Sequence, residues 1–426
     1  MKTLDIGIAG AGPAGLAAAL ILSRQGHRVE LIERFGQASP VGSGLMLQPT
    51  GLTVLSALGL LQPMLGLGRR IDRLYGADAK TGRTVLDVRY DALAGGRFGL
   101  GVQRSALFGL LHAAVLAAGI SVRTGVTLTA ATTSGRKAVL KDASGGVAGA
   151  YDLVIDATGA RSAIAAQAAT APTVRELAYG AFWATLDSDG LAHDPTALTQ
   201  RYDRAKVMIG ILPAGRAEPE DRERVAFFWS VKVGDADAVK RAGLQTWKAG
   251  IRAHWPDCGP LLDQIEDWDQ LSLARYCHRT MRPPVAGRVV FVGDSAHSTS
   301  PQLGQGANMA LIDAATLAHV LSLNDDVDAA LAAYGRARRY HIGLFQMLSL
   351  AFTPFYQSDS AALAWVRDRL VATIARVAPA PALLASIVSG TLIDPFAAAG
   401  LKECDWAAVA AEFARPRVIE AAPSLA

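Results

Sequence analysis

A glycine-rich segment near the N-terminus, GAGPAG at residues 10–15, follows a short apolar run at residues 3–8. An Ala- and Leu-rich run continues to about Gln25, and a β-prone run at residues 28–33 ends in Glu33. A strand, a glycine turn, a helix and a second strand within about 30 residues form the pattern of a βαβ dinucleotide site. The chain is therefore predicted to contain an α/β, Rossmann-like domain.

The glycines of this turn have separate tasks. Gly10 permits a tight turn, Gly12 lets the backbone approach a pyrophosphate, and Gly15 lets the helix pack closely on the strand. The free N–H groups at the helix start favour an anion, and a carboxylate at the end of the second strand can accept from ribose hydroxyls. The motif alone leaves NAD, NADP and FAD open. The predicted cofactor contacts are Gly10, Gly12, Pro13, Ala14, Gly15, Glu33 and Arg34.

Composition narrows the classes of function. Of the 426 residues, 51% are apolar and 19% are charged, which is typical of a folded protein with a large core. The net charge of +4 is small, so nucleic acid is not expected as a partner. The three cysteines have neither disulfide nor zinc spacing, and no apolar run is long enough for a membrane span. We expect a cytoplasmic protein without a metal site or a transmembrane segment.

A second strand-and-glycine pattern lies near the other end of the chain. Residues 288–292 (RVVFV) predict a strand, GDSAHSTSP follows at residues 293–301, and QLGQGAN at residues 302–308 leads into a helix predicted over residues 309–323. Asp294 directly follows the strand, where a carboxylate can hold polyol hydroxyls. The N–H groups at the helix start can donate to a ring carbonyl that carries negative charge.

Together the two motifs resemble those of the class A flavoprotein monooxygenases, the para-hydroxybenzoate hydroxylase-like family, over about residues 3–345. The resemblance implies a GR2-type FAD-binding domain whose first motif holds the ADP half of FAD. It assigns Asp294 to the ribityl chain and pyrophosphate, and Pro301 to a place near the flavin ring. The segment implied to lie against the pyrimidine edge of that ring is Gly304, Gln305, Gly306, Ala307 and Asn308.

Three segments between the motifs extend the resemblance. GSGLMLQP at residues 42–49 resembles the segment that passes beside the flavin. VQRSAL at residues 102–107 resembles the helix whose arginine, here Arg104, reaches the FAD phosphates, and a guanidinium suits that role. ISVRTGVTL at residues 120–128 resembles the strand whose backbone meets the adenine, with Val126 in the contact position.

One departure from the family pattern lies in DLVIDATGARS, residues 152–162. The family carries GADGxxS here, and its aspartate supports both FAD and the reducing nicotinamide. Thr158 stands at that aspartate, and Asp156 stands at the first glycine. NADPH or NADH is expected as reductant, but the lost charge leaves open a flavin reductase partner. A similar turn occurs in FAD-dependent reductases of isoprenoid double bonds, which keeps that activity as an alternative.

The stretch between the FAD segments predicts an antiparallel sheet, and the resemblance implies that this sheet binds the substrate. Residues 176–186, 199–212 and 224–233 predict strands, and residues 71–90 predict a hairpin. Period-two alternation sorts the aromatic residues by face, but it does not say which face lies towards the flavin. The predicted substrate-lining residues are Met46, Trp183, Tyr202, Met208, Phe227 and Trp229.

Three regions are predicted from these assignments. A discontinuous FAD-binding domain comprises residues 1–70, 98–175 and 271–340, and the substrate-binding sheet domain comprises residues 71–97 and 176–270. A helical region follows over residues 341–426, in which breaks are expected at Pro354, Pro379, Pro381 and Pro395.

The resemblance implies a monooxygenase that hydroxylates an apolar aromatic or quinone-like molecule with dioxygen, through a flavin C4a-hydroperoxide. No catalytic base stands out, and His297 is expected to be a structural neighbour of the FAD loop. Residues 352–359 (FTPFYQSD) resemble a segment of ubiquinone-biosynthesis-type hydroxylases, which act on apolar rings. A non-catalytic flavin- and ligand-binding protein is a further alternative, and a monomer or a homodimer is expected.

Overall fold

The structure is a computed structural model that describes residues 2–36, 43–371, 373, 375 and 377–413. The strands are β1 (Asp5–Ala9), β2 (Arg28–Ile32), β3 (Gly44–Leu47), β4 (Arg69–Ile71), β5 (Arg73–Asp78), β6 (Thr84–Arg89), β7 (Gly99–Gln103), β8 (Ser121–Arg123), β9 (Leu128–Ser134), β10 (Lys137–Asp142), β11 (Val147–Tyr151), β12 (Leu153–Asp156), β13 (Thr173–Glu176), β14 (Tyr179–Asp187), β15 (Ala197–Asp203), β16 (Val207–Gly215), β17 (Arg224–Lys232), β18 (Ser272–Ala274), β19 (Cys277–Thr280), β20 (Val285–Ala286) and β21 (Val289–Phe291). The helices are α1 (Pro13–Arg24), α2 (Pro49–Ala57), α3 (Leu61–Leu67), α4 (Arg104–Ala117), α5 (Ala163–Ala166), α6 (Ala236–Ala242), α7 (Leu244–His254), α8 (Gly259–Asp263), α9 (Asp294–His297), α10 (Gly306–Leu323), α11 (Val327–Tyr356), α12 (Ala361–Val366), α13 (Ala380–Ser389) and α14 (Trp406–Phe413).

The first glycine turn lies at the carboxyl end of β1 in a six-stranded sheet of order β20-β21-β12-β1-β2-β8. β1 pairs in parallel with both β2 and β12, and β12 pairs in parallel with β21. Ile6, Ile8, Val154 and Ile155 are fully buried, as expected of central strands in a parallel sheet that is covered on both faces. The predicted βαβ unit is present, and the strand that precedes the second glycine motif belongs to the same sheet.

The second large sheet has seven strands in the order β18-β14-β17-β16-β15-β5-β6. Its neighbouring strands are antiparallel except β15 and β5, which run parallel. The prediction of one strand over residues 199–212 is wrong, because the chain reverses at Arg204 and forms the hairpin of β15 and β16. Arg204 has a positive φ of 53°, which several turn types contain and a strand excludes.

Different elements cover the two faces of this sheet. Phe182, Ile209 and Phe227 share one face and pack in one cluster with Trp247 of α7 and Leu261 of α8. The three-stranded sheet β3-β7-β4 lies against the opposite face. A Cβ built on Gly44 would lie 2.6 Å from the Cβ of Ala226, and one built on Gly101 would lie 1.9 Å from the carbonyl oxygen of Pro213. The two sheets therefore meet at backbone contact distance.

The C-terminal region differs from its prediction in two ways. α11 runs without a break for 30 residues and contains Pro354 in its last turn, so the predicted break at that proline is wrong. The predicted boundary between residues 340 and 341 falls inside the same helix. Residues 414–426 of the predicted helical region lie outside the described residues.

One helix of the described part of the chain, α10, is long and apolar enough to cross a membrane by length and composition. However, 72% of it is buried inside the fold. It packs in the main hydrophobic cluster together with α1 and α4, as the core helix of a globular domain does.

Candidate functional site

The three glycines of the first motif have different surroundings. Gly10 has a φ of +99°, and a Cβ there would lie 2.7 Å from the carbonyl oxygen of Ala157. A Cβ on Gly15 would lie 2.0 Å from the carbonyl oxygen of Gly10, because α1 packs directly on the turn. A Cβ on Gly12 would meet a single neighbour within 4 Å, the carbonyl oxygen of Ala157 at 3.9 Å. Gly10 and Gly15 therefore serve the fold, whereas the space in front of Gly12 suits a ligand.

The N-termini of α1 and α10 lie side by side. Gly293, at the end of β21, is between them: a Cβ built there would lie 3.0 Å from the Cβ of Ala310 and 3.6 Å from the Cβ of Ala14. Neither helix start receives a side-chain cap from the described residues, and neither has an acidic residue in its first turn. Two uncapped helix starts create a site of positive potential that favours an anion such as a pyrophosphate.

Two carboxylates flank these helix starts. The Oε2 of Glu33 accepts from the Ala11 N–H at 2.7 Å, and Oε1 accepts from the Arg34 N–H at 2.8 Å. Glu33 is thus held against the first glycine turn, while Arg34 is exposed and its guanidinium lies 4.7 Å from the centre of the Phe35 ring. Asp294 is exposed at the start of α9, and its Oδ1 lies 3.8 Å from a Cβ built on Gly306. Its carboxylate therefore borders the start of α10.

The predicted adenine contact lies near the same turn, and the predicted phosphate contact lies at the start of α4. The N–H of Val126 donates to the carbonyl oxygen of Glu33 at 3.0 Å, which places Val126 beside the end of β2. It belongs to a turn rather than to the predicted strand, because β8 ends at Arg123 and β9 begins at Leu128. Arg104 is exposed at the start of α4, and its N–H donates to the carbonyl oxygen of Ser43 at 2.9 Å.

The departure at residues 156–162 forms a compact hydrogen-bonded turn. The N–H and the hydroxyl of Thr158 donate to Oδ1 of Asp156 at 2.9 and 2.6 Å, and the Ser162 hydroxyl donates to Oδ2. Burial raises the pKa of Asp156, and the hydrogen bonds from Ser162 and Thr158 oppose that rise. Both hydrogen-bond donors of Thr158 therefore bind a carboxylate within the turn. That carboxylate, Asp156, lies two residues earlier and is fully buried.

The second glycine turn joins three segments. Pro301 begins a short 3-10 turn that ends at Gly304, whose φ is +61°. The Asn308 side chain accepts from the Gln48 N–H at 2.8 Å and donates to the carbonyl oxygens of Met46 and Gly304 at 3.0 and 2.9 Å. Gln305 is buried and donates to the carbonyl oxygen of Val388 at 2.6 Å. The two side chains thus bind protein groups, while Gly304, Gly306 and Ala307 offer backbone surface.

The predicted substrate-lining residues fall on opposite faces of the seven-stranded sheet. Trp183 is opposite Phe228, and Tyr202 is opposite Met208, on the face that β3 covers. Met46 belongs to β3 and packs in the same region. Phe227 and Trp229 do not lie with the other four residues, because alternation turns both towards Trp247 of α7.

The sequence analysis missed two tyrosines at this face. Tyr276 accepts from the indole N–H of Trp183 at 2.8 Å, and burial raises its pKa to about 12. Tyr90 is buried beside Met46 and donates to Gln48. No spacing or motif marks either residue, since both reach the site from loops that only the fold brings together.

His297 is buried and takes part in an internal ion network. Its Nε2 lies at hydrogen-bond distance from Asp313, which also accepts from Arg338 at 2.6 Å and from the Gly293 N–H at 2.7 Å. Burial alone would raise the pKa of Asp313, but His297 and Arg338 hold that pKa well below its ordinary value. The network fixes the loop that carries Asp294, in agreement with the structural role expected for His297.

The assembled residues fit FAD. A pyrophosphate fits the open space in front of Gly12, which a Cβ would fill, the two helix N-termini and an exposed cation. The carboxylates of Glu33 and Asp294 suit the ribose and ribityl hydroxyls. Among the described residues, no group of three His, Cys, Asp or Glu side chains could hold a metal ion.

Comparisons with known proteins agree with this geometry. The chain is 28% identical over 351 residues to an FAD-dependent urate hydroxylase of Mycolicibacterium vanbaalenii, covering 79% of this chain and 84% of that protein. It is 28% identical over 377 residues to 2-heptyl-3-hydroxy-4(1H)-quinolone synthase of Pseudomonas aeruginosa, covering 85% of this chain and 92% of that protein. The structure of Klebsiella pneumoniae HpxO with FAD and uric acid superposes with a TM-score of 0.74 at 22% identity, covering 91% of this chain and 98% of that chain.

The structural likeness confirms the predicted fold class, and the relatives confirm the resemblance to class A flavoprotein monooxygenases. A family profile described as an FAD binding domain matches residues 3–343, which is most of the chain. The chain therefore belongs to the FAD binding domain family, and its cofactor is FAD.

Proposed function

We propose that the protein is an FAD-dependent monooxygenase that hydroxylates a small, apolar aromatic ring with dioxygen. One observation carries the proposal: β3 joins the second glycine turn to the face of the seven-stranded sheet whose central positions carry no charged side chain. At its start the Ser43 hydroxyl donates to the carbonyl oxygen of Ala184 at 3.1 Å, and at Met46 its carbonyl oxygen accepts from Asn308 at 3.0 Å. A ring bound against Trp183 would therefore lie next to the part of the chain that faces the flavin.

The proposed cofactor site uses both helix starts. The N–H groups of Gly12 and Ala14, on either side of Pro13, hold the pyrophosphate, with Arg104 as a further cation. Glu33, with Arg34 and Val126 nearby, holds the adenosine half, and Asp294 holds the ribityl hydroxyls. Gly304, Gly306 and Ala307 border the flavin ring, while Gln305 and Asn308 position that turn. Pro301 lies at the entrance of the turn.

Bound FAD would supply the redox and dioxygen chemistry of the reaction. The chain itself orients the substrate and excludes water. Trp183 and Phe228 form an aromatic wall, with ring centres 4.6 Å apart. Tyr276 holds the Trp183 indole at 2.8 Å, and its pKa, raised by burial to about 12, keeps the phenol protonated near neutral pH. Tyr276 is therefore a positioning residue rather than a base.

The substrate class follows from the chemistry of this face. By the strand registers, its central positions carry no Lys, Arg, Asp or Glu: they are Ala181, Trp183, Thr185, Met208, Gly210, Leu212, Ala226, Phe228 and Ser230. A charged substrate would lose its hydration there without gaining a partner, whereas an apolar ring gains by burial. Among the chemistries that the relatives' names indicate, quinolone-like rings suit this face better than urate.

The reductant, the cellular location and the oligomeric state of the protein are also proposed. NADPH or NADH is the proposed reductant, and the hydrogen-bonded Thr158 leaves a flavin reductase partner as the alternative source of electrons. We also propose a cytoplasmic location and a monomer or homodimer.

The test combines two measurements on the FAD-loaded protein. Anaerobic stopped-flow reduction by NADPH and by NADH is followed with and without a panel of apolar aromatic compounds. Oxygen consumption is then compared with the amount of hydroxylated product. Product formed in proportion to oxygen supports the proposal. Reductant consumed without oxygen would instead indicate a double-bond reductase, and tight binding of FAD and ligand without turnover would indicate a non-catalytic binding protein.

A further inference from the structure

Gln48 carries a buried amide whose donor is unused within the described part of the chain. The residue is fully buried at the start of α2, and its main-chain N–H donates to Asn308 Oδ1 at 2.8 Å. Its Oε1 accepts from the Tyr90 hydroxyl, while its Nε2 has no hydrogen-bond partner among the described residues. An unsatisfied buried donor is costly, at about 1–3 kcal/mol, so a folded protein normally supplies such a group with a partner, which can be an ordered water, an ion or a ligand.

Tyr90 fixes the orientation of this amide. The phenol is buried, and burial raises its pKa far above the ordinary value, so the hydroxyl keeps its proton and can donate. Because the hydroxyl donates to Oε1, the amide presents its –NH₂ group on the other side. Tyr90 is itself packed tightly: a Cβ built on Gly99 would lie 2.7 Å from the phenol oxygen.

The unused donor lies beside the second glycine turn. Nε2 of Gln48 lies 3.5 Å from a Cβ built on Gly304, and the Met46 methyl lies 3.6 Å from the same point. Gly304 has no side chain of its own to occupy this space, and its φ of +61° disfavours replacement by most residues. The donor thus borders the junction of the proposed flavin and substrate positions.

We propose that Gln48 is a positioning residue whose side-chain amide donates a hydrogen bond to a ring carbonyl oxygen of a ligand bound beside Gly304. The proposal deepens the proposed function and rests on it. Such a carbonyl belongs either to a quinolone-like substrate or to the flavin ring. In both cases the donor strengthens binding of a carbonyl-bearing ring relative to one that lacks the carbonyl, because only the former satisfies the buried amide.

Equilibrium binding tests this without requiring turnover. The FAD-loaded wild type, Gln48→Leu and Tyr90→Phe are titrated with 2-heptyl-4(1H)-quinolone and with 2-heptylquinoline. The second compound lacks the C4 carbonyl and also the N1–H of the first, so the change in selectivity between the wild type and Gln48→Leu, rather than the selectivity of either protein alone, reports on the carbonyl. The flavin spectrum and reduction potential of each protein are also measured without a ligand. Gln264→Leu is the matched control, since Gln264 pairs with the main chain of Asp187 and belongs neither to a glycine turn nor to the covered face.

If the carbonyl belongs to the substrate, Gln48→Leu weakens quinolone binding about tenfold or more and leaves quinoline binding within about twofold. Tyr90→Phe then gives a smaller loss of the same selectivity, because the amide is free to rotate. If the carbonyl belongs to the flavin, Gln48→Leu shifts the spectrum and the potential in the absence of ligand. Unchanged selectivity together with an unchanged flavin overturns the proposal. If the wild type binds neither compound, the substrate class proposed above fails, and the flavin measurement alone decides the role of Gln48.

Discussion

Replacing Gly12 by alanine should weaken FAD binding strongly without disturbing the fold. A Cβ at Gly12 meets one neighbour at 3.9 Å, and the φ of −74° is one that alanine adopts readily. The folded protein should tolerate the methyl group at a cost of about 0.5–1 kcal/mol for the poorer helix cap. Bound FAD should not, because the methyl group occupies the space through which a pyrophosphate approaches the N–H groups of α1.

The expected loss of affinity follows from those hydrogen bonds. A hydrogen bond to a charged group contributes about 1.5–3 kcal/mol. Losing or stretching two of them should cost at least ~3 kcal/mol, which is about 100-fold or more in the dissociation constant. Titration of the apoprotein with FAD, followed by flavin fluorescence, measures this constant directly.

Gly15→Ala is the matched control within the same motif. Its Cβ would lie 2.0 Å from the carbonyl oxygen of Gly10, so α1 must move away from the turn. Such overpacking should lower the free energy of unfolding of the apoprotein by about 1–3 kcal/mol or more. An unchanged FAD dissociation constant in Gly12→Ala would refute the reasoning, and so would a Gly15→Ala apoprotein that unfolds at the wild-type denaturant midpoint.

Four further expectations concern other residues of the site. Asp294→Ala should lower FAD occupancy because the exposed carboxylate borders α10; a purified variant as yellow as the wild type would contradict its role. The double variant Asp156→Gly, Thr158→Asp should speed flavin reduction by NADPH in stopped flow. Thr158→Asp alone should instead lower the Tm, because it adds a carboxylate beside buried Asp156. The same reduction rate and the same Tm in the two variants would rule out a coupling between these two positions. Trp183→Leu should weaken binding of an apolar aromatic ligand, while Trp229→Leu should cost about 2 kcal/mol of stability and leave that binding unchanged; calorimetry and ligand titration separate the effects. Asp313→Asn should lower the free energy of unfolding by about 3–5 kcal/mol at pH 7. Because the folded-state pKa of Asp313 lies below its unfolded value, the stabilisation by this carboxylate is present above about pH 4 and is lost as the pH falls through the folded pKa. A difference in denaturant midpoint between wild type and variant that stays constant down to acid pH would argue against this role of Asp313.

The sequence predicted the features that depend on local spacing. GAGPAG specifies its own turn, so Gly10, Gly12 and Gly15 could be assigned before the fold was known. Alternation in β17 grouped Phe227 with Trp229 correctly, but it could not say which face α7 covers. That choice depends on the packing of residues far apart in the chain.

Other features had no local signal. Pro354 is a helix breaker by its chemistry, because it has no N–H to donate to the carbonyl four residues earlier, yet α11 includes it and ends only two residues later, at Tyr356. Tyr90 and Gln48 are 42 residues apart and meet only after β3 and β7 pair. A tyrosine and a glutamine at such a separation carry no pattern that a sequence could reveal.

The hydrogen bonds of Asn308 also constrain the order in which the protein can mature during synthesis. Its side chain joins the start of α10 to Gln48 and Met46, which precede it by 260 and 262 residues. At about 5–20 residues per second, a ribosome needs roughly 13–50 s to synthesise the stretch between Gln48 and Asn308. For most of that interval the sheet that contains β1 and β12 also lacks β21, the strand that pairs with β12. The hydrogen bonds between β3 and the second glycine turn therefore cannot form until residue 308 has been synthesised, and a fragment that ends before α10 lacks the second helix start of the flavin site.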